Sequence, residues 1–191
     1  MIVCFFLAAF ATGVAAQESV TVLIDTEVGE IEVEIKIAAA PRTAANFLRY
    51  VDEGFFDGGQ FHRTVTMTNQ PDNDVKIEVI QASASELRRD DHYPPISLER
   101  TTETRLSHKD GTISMARFQP DSATSSFFFC IGNQPELDWG GGRNPDGQGF
   151  AAFGQVIRGM DVVRKIQNSP HKEQRLTPPV KIRSIRRIVP D

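Results

Sequence analysis

The chain has 191 residues, of which 40% are apolar and 24% are charged, which is ordinary for one soluble globular domain. Its formal net charge of −4 argues against a basic nucleic-acid surface, so we expect no nucleic-acid partner. The two cysteines, Cys4 and Cys130, are too few for a disulfide framework.

The first sixteen residues, MIVCFFLAAFATGVAA, carry no charge and are mostly apolar. They are short for a membrane span, and small residues at their end precede Gln17 as at a secretory cleavage site. We therefore expect residues 1–16 to be a signal peptide and residues 17–191 to be the mature domain. This predicts an exported, periplasmic protein with no stable membrane insertion after cleavage. No Lys or Arg lies near Met1, so a buried strand in an intracellular protein is the alternative.

Cleavage would leave Cys130 as the only cysteine, and a lone cysteine forms no internal disulfide. Cys130 follows three phenylalanines, a context that favours a small core residue over a nucleophile.

The first elements of the mature chain are predicted from a change of hydrophobic period. Residues 20–37 alternate apolar and polar side chains on both sides of a Glu-Val-Gly turn, which predicts a β-hairpin with one buried face. Residues 41–56 change to helical spacing, with Pro41 suited to the first turn and Gly54 placed to end the helix.

The rest of the chain alternates apolar runs with polar or glycine-rich loops. The predicted order is strand 59–65, strand 75–83, strand 111–117, strand 126–132, strand 150–157, helix 159–167 and strand 180–189. Seven or eight strands with two helices suggest a closed or nearly closed antiparallel barrel with a helix over each end.

Motifs for metal-dependent or nucleophilic chemistry are missing from the sequence. The four histidines have no metal-ligand spacing, and no Gly-x-Ser-x-Gly elbow or phosphate-binding Walker loop occurs. We therefore expect neither a metal nor a cofactor. What remains is an arginine in the strand sequence FHR and three consecutive phenylalanines beside a polar loop.

Five segments occur in an order that resembles the cyclophilin family of peptidyl-prolyl isomerases. They are NFLRYVDEGFFDGGQFHR, VIQ, GTISMAR, SATSSFFF and FAAFGQVIRGMDVVRKI, and the similarity covers nearly all of residues 20–190. The resemblance implies a mainly β fold, a closed eight-stranded antiparallel β-barrel capped by two α-helices. It also implies rotation about X-Pro peptide bonds in proline-containing unfolded or extended polypeptides, without a cofactor. We expect a bacterial, exported member that assists protein folding as a monomer.

The resemblance also implies roles for individual residues. Arg63 matches the catalytic arginine, and Gln81 matches the glutamine that contacts the substrate backbone. Phe128 matches the aromatic floor of the proline pocket, and Leu137 matches an apolar residue of its wall. The other positions implied to bind substrate are Ala116, Arg117, Ser126 and Phe150. Because successive strand residues face opposite sides, Phe128 should face the groove while its two phenylalanine neighbours fill the core.

Several positions near the implied site depart from the family pattern. The segment between Arg63 and Gln81 is longer than in compact members, which makes most of 66–76 an insertion near the groove. Glu78 and Val79 stand where Phe and Met are frequent, and Ala82 and Ser83 replace a glycine pair. These changes favour an alternative, a peptide-binding or chaperone module on the same barrel with weak or no isomerase activity. The combination of Arg63, Gln81 and Phe128 opposes it.

Overall fold

The computed structural model describes residues 18–91 and 93–188, so the expected signal peptide lies outside the described residues. The strands are β1 (Val20–Thr26), β2 (Gly29–Ile35), β3 (Gln60–Val65), β4 (Val79–Ser83), β5 (Thr112–Met115), β6 (Phe127–Cys130), β7 (Ala151–Arg158), β8 (His171–Lys172) and β9 (Arg175–Ile188). The α-helices are α1 (Pro41–Asp52), α2 (Thr101–Thr104) and α3 (Met160–Gln167).

The strands form one antiparallel sheet that closes on itself. Its order is β1-β2-β7-β5-β6-β4-β3-β9, and β9 pairs again with β1. The two-residue strand β8 pairs only with β9 and adds nothing to the ring. The prediction of a closed eight-stranded antiparallel barrel is therefore confirmed, with one short strand that the sequence did not predict.

The first hairpin forms where the alternating pattern predicted it. The Thr26 hydroxyl donates to the Gly29 carbonyl at 2.6 Å and accepts from the Val28 N–H at 3.2 Å, which fixes the turn. Gly29 has a φ of 144°, and a Cβ there would lie 2.7 Å from a Val162 methyl group. Only glycine therefore allows this turn to approach α3 so closely.

Helix α1 begins at the predicted proline and packs on the barrel. The N–H groups of Arg42 and Thr43 donate to the buried carboxylate of Glu99 at 3.1 and 2.7 Å, a favourable anion position at a helix N-terminus. Phe47 on its inner face contacts Phe127 edge-on, with ring centroids 5.4 Å apart. Gly54, with a φ of 68°, lies just beyond the helix end, as predicted.

Other details of the predicted elements differ from the structure. A third short helix, α2, lies between the predicted strands 75–83 and 111–117, where no element was predicted, and β9 begins at Arg175, five residues before the expected start at 180. Strand β4 begins only at Val79. Ahead of it the Gln70 side chain accepts from the Ile77 N–H at 3.4 Å and donates to the Ile77 carbonyl at 2.6 Å. These bonds take the backbone groups that a longer strand would pair.

The buried apolar residues divide into two clusters on opposite faces of β6. Phe127 and Phe129 belong to the large cluster inside the barrel, whereas Phe128 belongs to a small cluster outside it. The predicted alternation of the three phenylalanines is confirmed. Within the described ranges no helix is long and apolar enough to cross a membrane.

Candidate functional site

A groove with a volume of about 340 Å³ opens over the small outer cluster. It lies where β3, β4 and β6 run side by side. All eight residues that the sequence analysis proposed for the site line this groove: Arg63, Gln81, Ala116, Arg117, Ser126, Phe128, Leu137 and Phe150. The structure brings these residues together, while their individual roles stay predictions.

The sheet register aligns three of these side chains. Arg63 on β3 is opposite Gln81 on β4, and Gln81 is opposite Phe128 on β6. Residues opposite each other on neighbouring strands project from the same face, so the three side chains lie in one row across the groove. The row joins a cation, an amide and an aromatic ring.

The guanidinium of Arg63 is held by neutral partners. Its Nη1 donates to Gln81 Oε1 at 2.9 Å, and its Nε and Nη2 donate to Gln174 Oε1 at 2.9 and 2.6 Å. These bonds use three of the five guanidinium N–H groups, which leaves two for a ligand. Burial lowers the pKa of Arg63, and the nearby charge of Arg143 lowers this pKa further. Arginine nevertheless keeps its charge in proteins, so the site presents a fixed cation.

The apolar part of the groove is built around Phe128. Its ring meets that of Phe150 edge-on, with centroids 5.3 Å apart and planes at 87°. Leu137 and Val79 are buried in the same outer cluster, and Ile77 joins them at the groove. These side chains and the Arg63 guanidinium line the same groove, so an apolar recess and a cation lie together.

A buried polar chain supports the inner face of Phe128. The His108 ring stacks on Phe128 with centroids 6.0 Å apart and planes at 12°. His108 Nδ1 lies 2.6 Å from Asp138 Oδ1, and Nε2 lies 2.9 Å from Ser114 Oγ. Ser, His and Asp occur together in hydrolases, but Ser114 is 0% exposed and cannot reach a substrate. The three hydrogen-bonded side chains therefore hold the Phe128 ring in place.

The side chain of Arg117 is 1% exposed and is engaged by its own neighbours in the protein. It forms a bidentate pair with Asp146 at 2.8 and 2.9 Å and donates to the Gly149 carbonyl. The hydrogen bond from Arg117 lowers the pKa of Asp146. Strand β5 ends at Met115, so 116–117 lie just beyond it, contrary to the expected strand 111–117. Arg117 thus holds the loop that carries Phe150, and only its remaining surface borders the groove.

Sequence reasoning missed several residues of the groove. The missed lining residues are Ile77, Phe118, Arg143 and Asn144, whereas Val79 is recognised in the sequence only as a departure from the family pattern near the site. Gln174, which fixes Arg63, was also missed, because it comes from the turn between β8 and β9. Glu78 accepts from Gln167 of α3 at 3.2 Å and does not line the groove. The two-residue period that runs back from Gln81 through Val79 to Ile77 was the signal that could have identified Ile77.

Cys130 is fully buried in the outer cluster, which confirms that it is a core residue. Burial raises the pKa of its thiol. Among the residues that the structure describes, no group of three or more His, Cys, Asp or Glu side chains is placed to hold a metal ion.

Comparison with known proteins gives a consistent family. The sequence model of the family described as cyclophilin type peptidyl-prolyl cis-trans isomerase/CLD matches residues 21–187. The chain is 35% identical over 163 residues to peptidyl-prolyl cis-trans isomerase A of Dickeya dadantii, covering 84% of this chain and 77% of that protein. It is 31% identical over 147 residues to peptidyl-prolyl cis-trans isomerase B of Escherichia coli, covering 76% and 83%.

A solved structure shares the fold. The crystal structure of a cyclophilin type peptidyl-prolyl cis-trans isomerase from Cryptosporidium parvum superposes with a TM-score of 0.73, at 19% identity, over 91% of this chain and 99% of that one. The same protein in the presence of the dipeptide Ala-Pro gives a TM-score of 0.71, at 20% identity, over 89% and 99%. The sequence matches and the barrel together show that this chain belongs to the cyclophilin family of peptidyl-prolyl cis-trans isomerases.

Proposed function

We propose that Arg63 catalyses cis-trans isomerisation of X-Pro bonds in unfolded or extended polypeptides that bind along the groove. The observation that carries the proposal is a charged guanidinium, held by the neutral amides of Gln81 and Gln174, beside an apolar recess. Such a site offers one oriented cation and a surface for a ring.

The chemistry of the X-Pro bond explains why one oriented cation and an apolar surface are sufficient for isomerisation. Rotation is slow because amide resonance gives the C–N bond partial double-bond character, with a barrier of about 18–20 kcal/mol. No bond is made or broken, so the reaction needs no nucleophile. In the twisted transition state the nitrogen lone pair has left resonance and can accept a hydrogen bond.

Arg63 is suited to favour that twisted state. A donor aimed at the prolyl nitrogen interacts weakly with the planar amide and strongly with the twisted one, which is the condition for lowering the barrier. One preorganised donor contributes roughly 2.7–4 kcal/mol in comparable sites, or about two to three decades of rate. Because both amide partners of Arg63 are neutral, neither cancels the guanidinium charge.

The remaining predicted residues would hold the substrate. The proline ring would rest on Phe128 between Leu137 and Phe150, and the Gln81 amide would bind the peptide backbone. Ala116, Arg117 and Ser126 would line the path of the chain on either side. A bound proline thereby becomes a fixed point about which the preceding residue rotates.

The proposed setting is the bacterial periplasm, where the protein would act as a monomer on exported chains. This part of the proposal is supported by the uncharged apolar segment 1–16 and the small residues before Gln17. Mass spectrometry of the protein from its native host should find Gln17 at the N-terminus. An intact Met1 on the folded, exported protein would contradict it.

A second candidate function is peptide binding without strong catalysis. Gln174 accepts two hydrogen bonds from Arg63, so the guanidinium is already engaged before any peptide arrives. Val79 is also smaller than the Met frequent at that position, so it closes the recess less completely. Under this alternative the groove would hold proline peptides while leaving their isomerisation rate nearly unchanged.

NMR exchange spectroscopy on a short X-Pro peptide separates the two functions. Catalytic amounts of the protein should accelerate cis-trans exchange, and Arg63→Ala should remove the acceleration. Arg158→Ala is the control, because Arg158 is an exposed arginine on β7 that pairs with Glu32 away from the groove. Peptide binding with no acceleration by the native protein would favour the second candidate.

A further inference from the structure

The groove has an unbalanced charge. Three arginines line it, Arg63, Arg117 and Arg143, and no aspartate or glutamate does so among the described residues. Asp146 neutralises Arg117. Within the described ranges, neither Arg63 nor Arg143 lies within salt-bridge distance of a carboxylate. Two positive charges therefore face the groove without a negative partner.

The insertion 66–76 holds Arg143 in this position. Arg143 Nη1 donates to Gln70 Oε1 at 3.0 Å and to the Val75 carbonyl at 2.7 Å. Gln70 is itself buried and donates to the Thr66 carbonyl at 2.8 Å. Two neutral oxygens of the insertion thus hold Nη1 of the Arg143 guanidinium in place.

The other donors of Arg143 remain available. Its Nη1 uses both hydrogens on the insertion, and in the described part of the chain Nε and Nη2 donate to nothing. These two nitrogens form one edge of the planar guanidinium, the arrangement that binds a carboxylate through two parallel hydrogen bonds.

The acidic residues nearest to Arg143 in sequence are engaged elsewhere: Asp146 pairs with Arg117, Asp138 contacts His108, and Glu136 binds backbone N–H groups. The Glu136 Oε2 accepts from the Gly142 N–H at 2.7 Å, and the Glu136 carbonyl accepts from the Arg143 N–H at 3.1 Å. Both contacts shape the loop that presents Arg143 and leave the guanidinium unpaired. Arg143 is half-buried, and this burial lowers the pKa of its guanidinium. A partly buried cation gains from an anionic partner.

We propose that Arg143 makes the groove select proline sites that carry an aspartate or glutamate side chain next to the proline. The proposal rests on the proposed function, since it assumes that the groove binds proline peptides. It adds the substrate class, acidic extended segments, and assigns the insertion 66–76 a role in specificity. Arg63 is committed to the prolyl nitrogen, so Arg143 is the cation that would bind the flanking carboxylate.

Matched peptides test the proposal. A short Ala-rich X-Pro peptide is made with Glu, Gln or Lys in turn at the position before and the position after the proline. For at least one position we expect kcat/KM to be about tenfold higher for Glu than for Gln, the size of a charge-assisted hydrogen bond, and lowest for Lys. In Arg143→Gln the Glu/Gln ratio should fall to about one, while Arg143→Lys should keep part of it.

Arg158→Gln removes one positive charge at a distance and should keep the native Glu/Gln ratio. A ratio near one in the native protein at both positions, or an unchanged ratio in Arg143→Gln, would overturn the proposal. If no peptide is isomerised, the proposed function fails. The same peptides titrated by NMR then still test Arg143, because the Glu/Gln ratio of dissociation constants should show the same preference.

Discussion

The two faces of β6 form two regions of different character. On the inner face Phe127 and Phe129 contact each other edge-on, with centroids 5.7 Å apart, inside the large barrel core. On the outer face Phe128 lies over His108 and opens onto the groove. The inner region is buried in the large apolar cluster, whereas the outer one is backed by the hydrogen-bonded side chains of His108, Asp138 and Ser114 and opens onto the groove.

Adjacent residues of one strand can therefore serve different purposes, one the stability of the core and the next the groove. Side chains that alternate across a sheet belong to different environments, although they are neighbours in sequence. Substitutions on the inner face should therefore reduce the free energy of unfolding, and substitutions on the outer face should reduce catalysis or binding.

The largest effect is expected on the inner face. Phe129→Ala should lower the free energy of unfolding by about 3–5 kcal/mol, because it leaves a cavity in a core that cannot collapse to fill it. Urea unfolding measures the loss. The molecules that remain folded should isomerise X-Pro peptides at the native rate. A milder Phe129→Leu variant covers the case in which the alanine variant does not fold.

In the groove, Arg63→Ala should reduce activity and leave stability nearly unchanged, the reverse of Phe129→Ala. We expect kcat/KM to fall by two to three decades, or roughly 2.7–4 kcal/mol, because the donor to the prolyl nitrogen is lost. The free energy of unfolding should change by less than about 1 kcal/mol, since groove water can satisfy the amides of Gln81 and Gln174. Arg63→Lys should rescue little, because an ammonium lacks the planar array of donors.

The measurements are the isomerisation rate and thermal unfolding on the same samples. Near-native activity in Arg63→Ala, or a loss of activity that follows unfolding alone, would contradict the catalytic assignment.

Phe128→Ala should combine the two kinds of effect, with a moderate loss of both peptide binding and stability. It removes the surface on which the proline ring would rest and also uncovers His108, so we expect about tenfold weaker peptide binding and a loss of about 1–3 kcal/mol in stability. Calorimetric titration with an X-Pro peptide and urea unfolding measure the two effects. A loss of stability with unchanged binding would place Phe128 outside the ligand site.

The smallest effect concerns Cys130, which belongs to the outer cluster but has no exposed surface. Because burial raises the thiol pKa, iodoacetamide should label native Cys130 very slowly at pH 8 and rapidly in urea. The thiol also makes a small contribution to the pH dependence of the free energy of unfolding. Above the unfolded pKa of about 8.5 the unfolded state loses its proton first, so stability falls as pH rises. In Cys130→Ala this part of the decline should be absent.

Local patterns in the sequence predicted much of the fold. The alternation in residues 20–37 identified the first hairpin, and the same two-residue period assigned Phe128 to the outer face. Strand 75–83 was predicted four residues too long, because its apolar residues resemble a strand while the Gln70 side chain takes the backbone partners of Ile77.

The site was predictable only in part. Arg63, Gln81 and Phe128 lie on strands, where the family pattern fixes their positions. Gln174 and Arg143 come from a turn and a loop whose partners, Arg63 and Gln70, are distant in sequence, so no short-range pattern points to them. The engagement of Arg117 with Asp146 is equally non-local, since the two residues lie on opposite sides of β6 in the sequence.

The closure of the barrel by β1 and β9 constrains how the protein is made. Val22 pairs with Arg187, so the ring cannot close until the ribosome has delivered nearly the whole described chain. Contacts so distant in sequence also slow folding. Until β9 arrives, β1 and β3 expose unpaired edges that can join other strands. The arrival of β9 is thus the step that removes both exposed edges and completes the barrel.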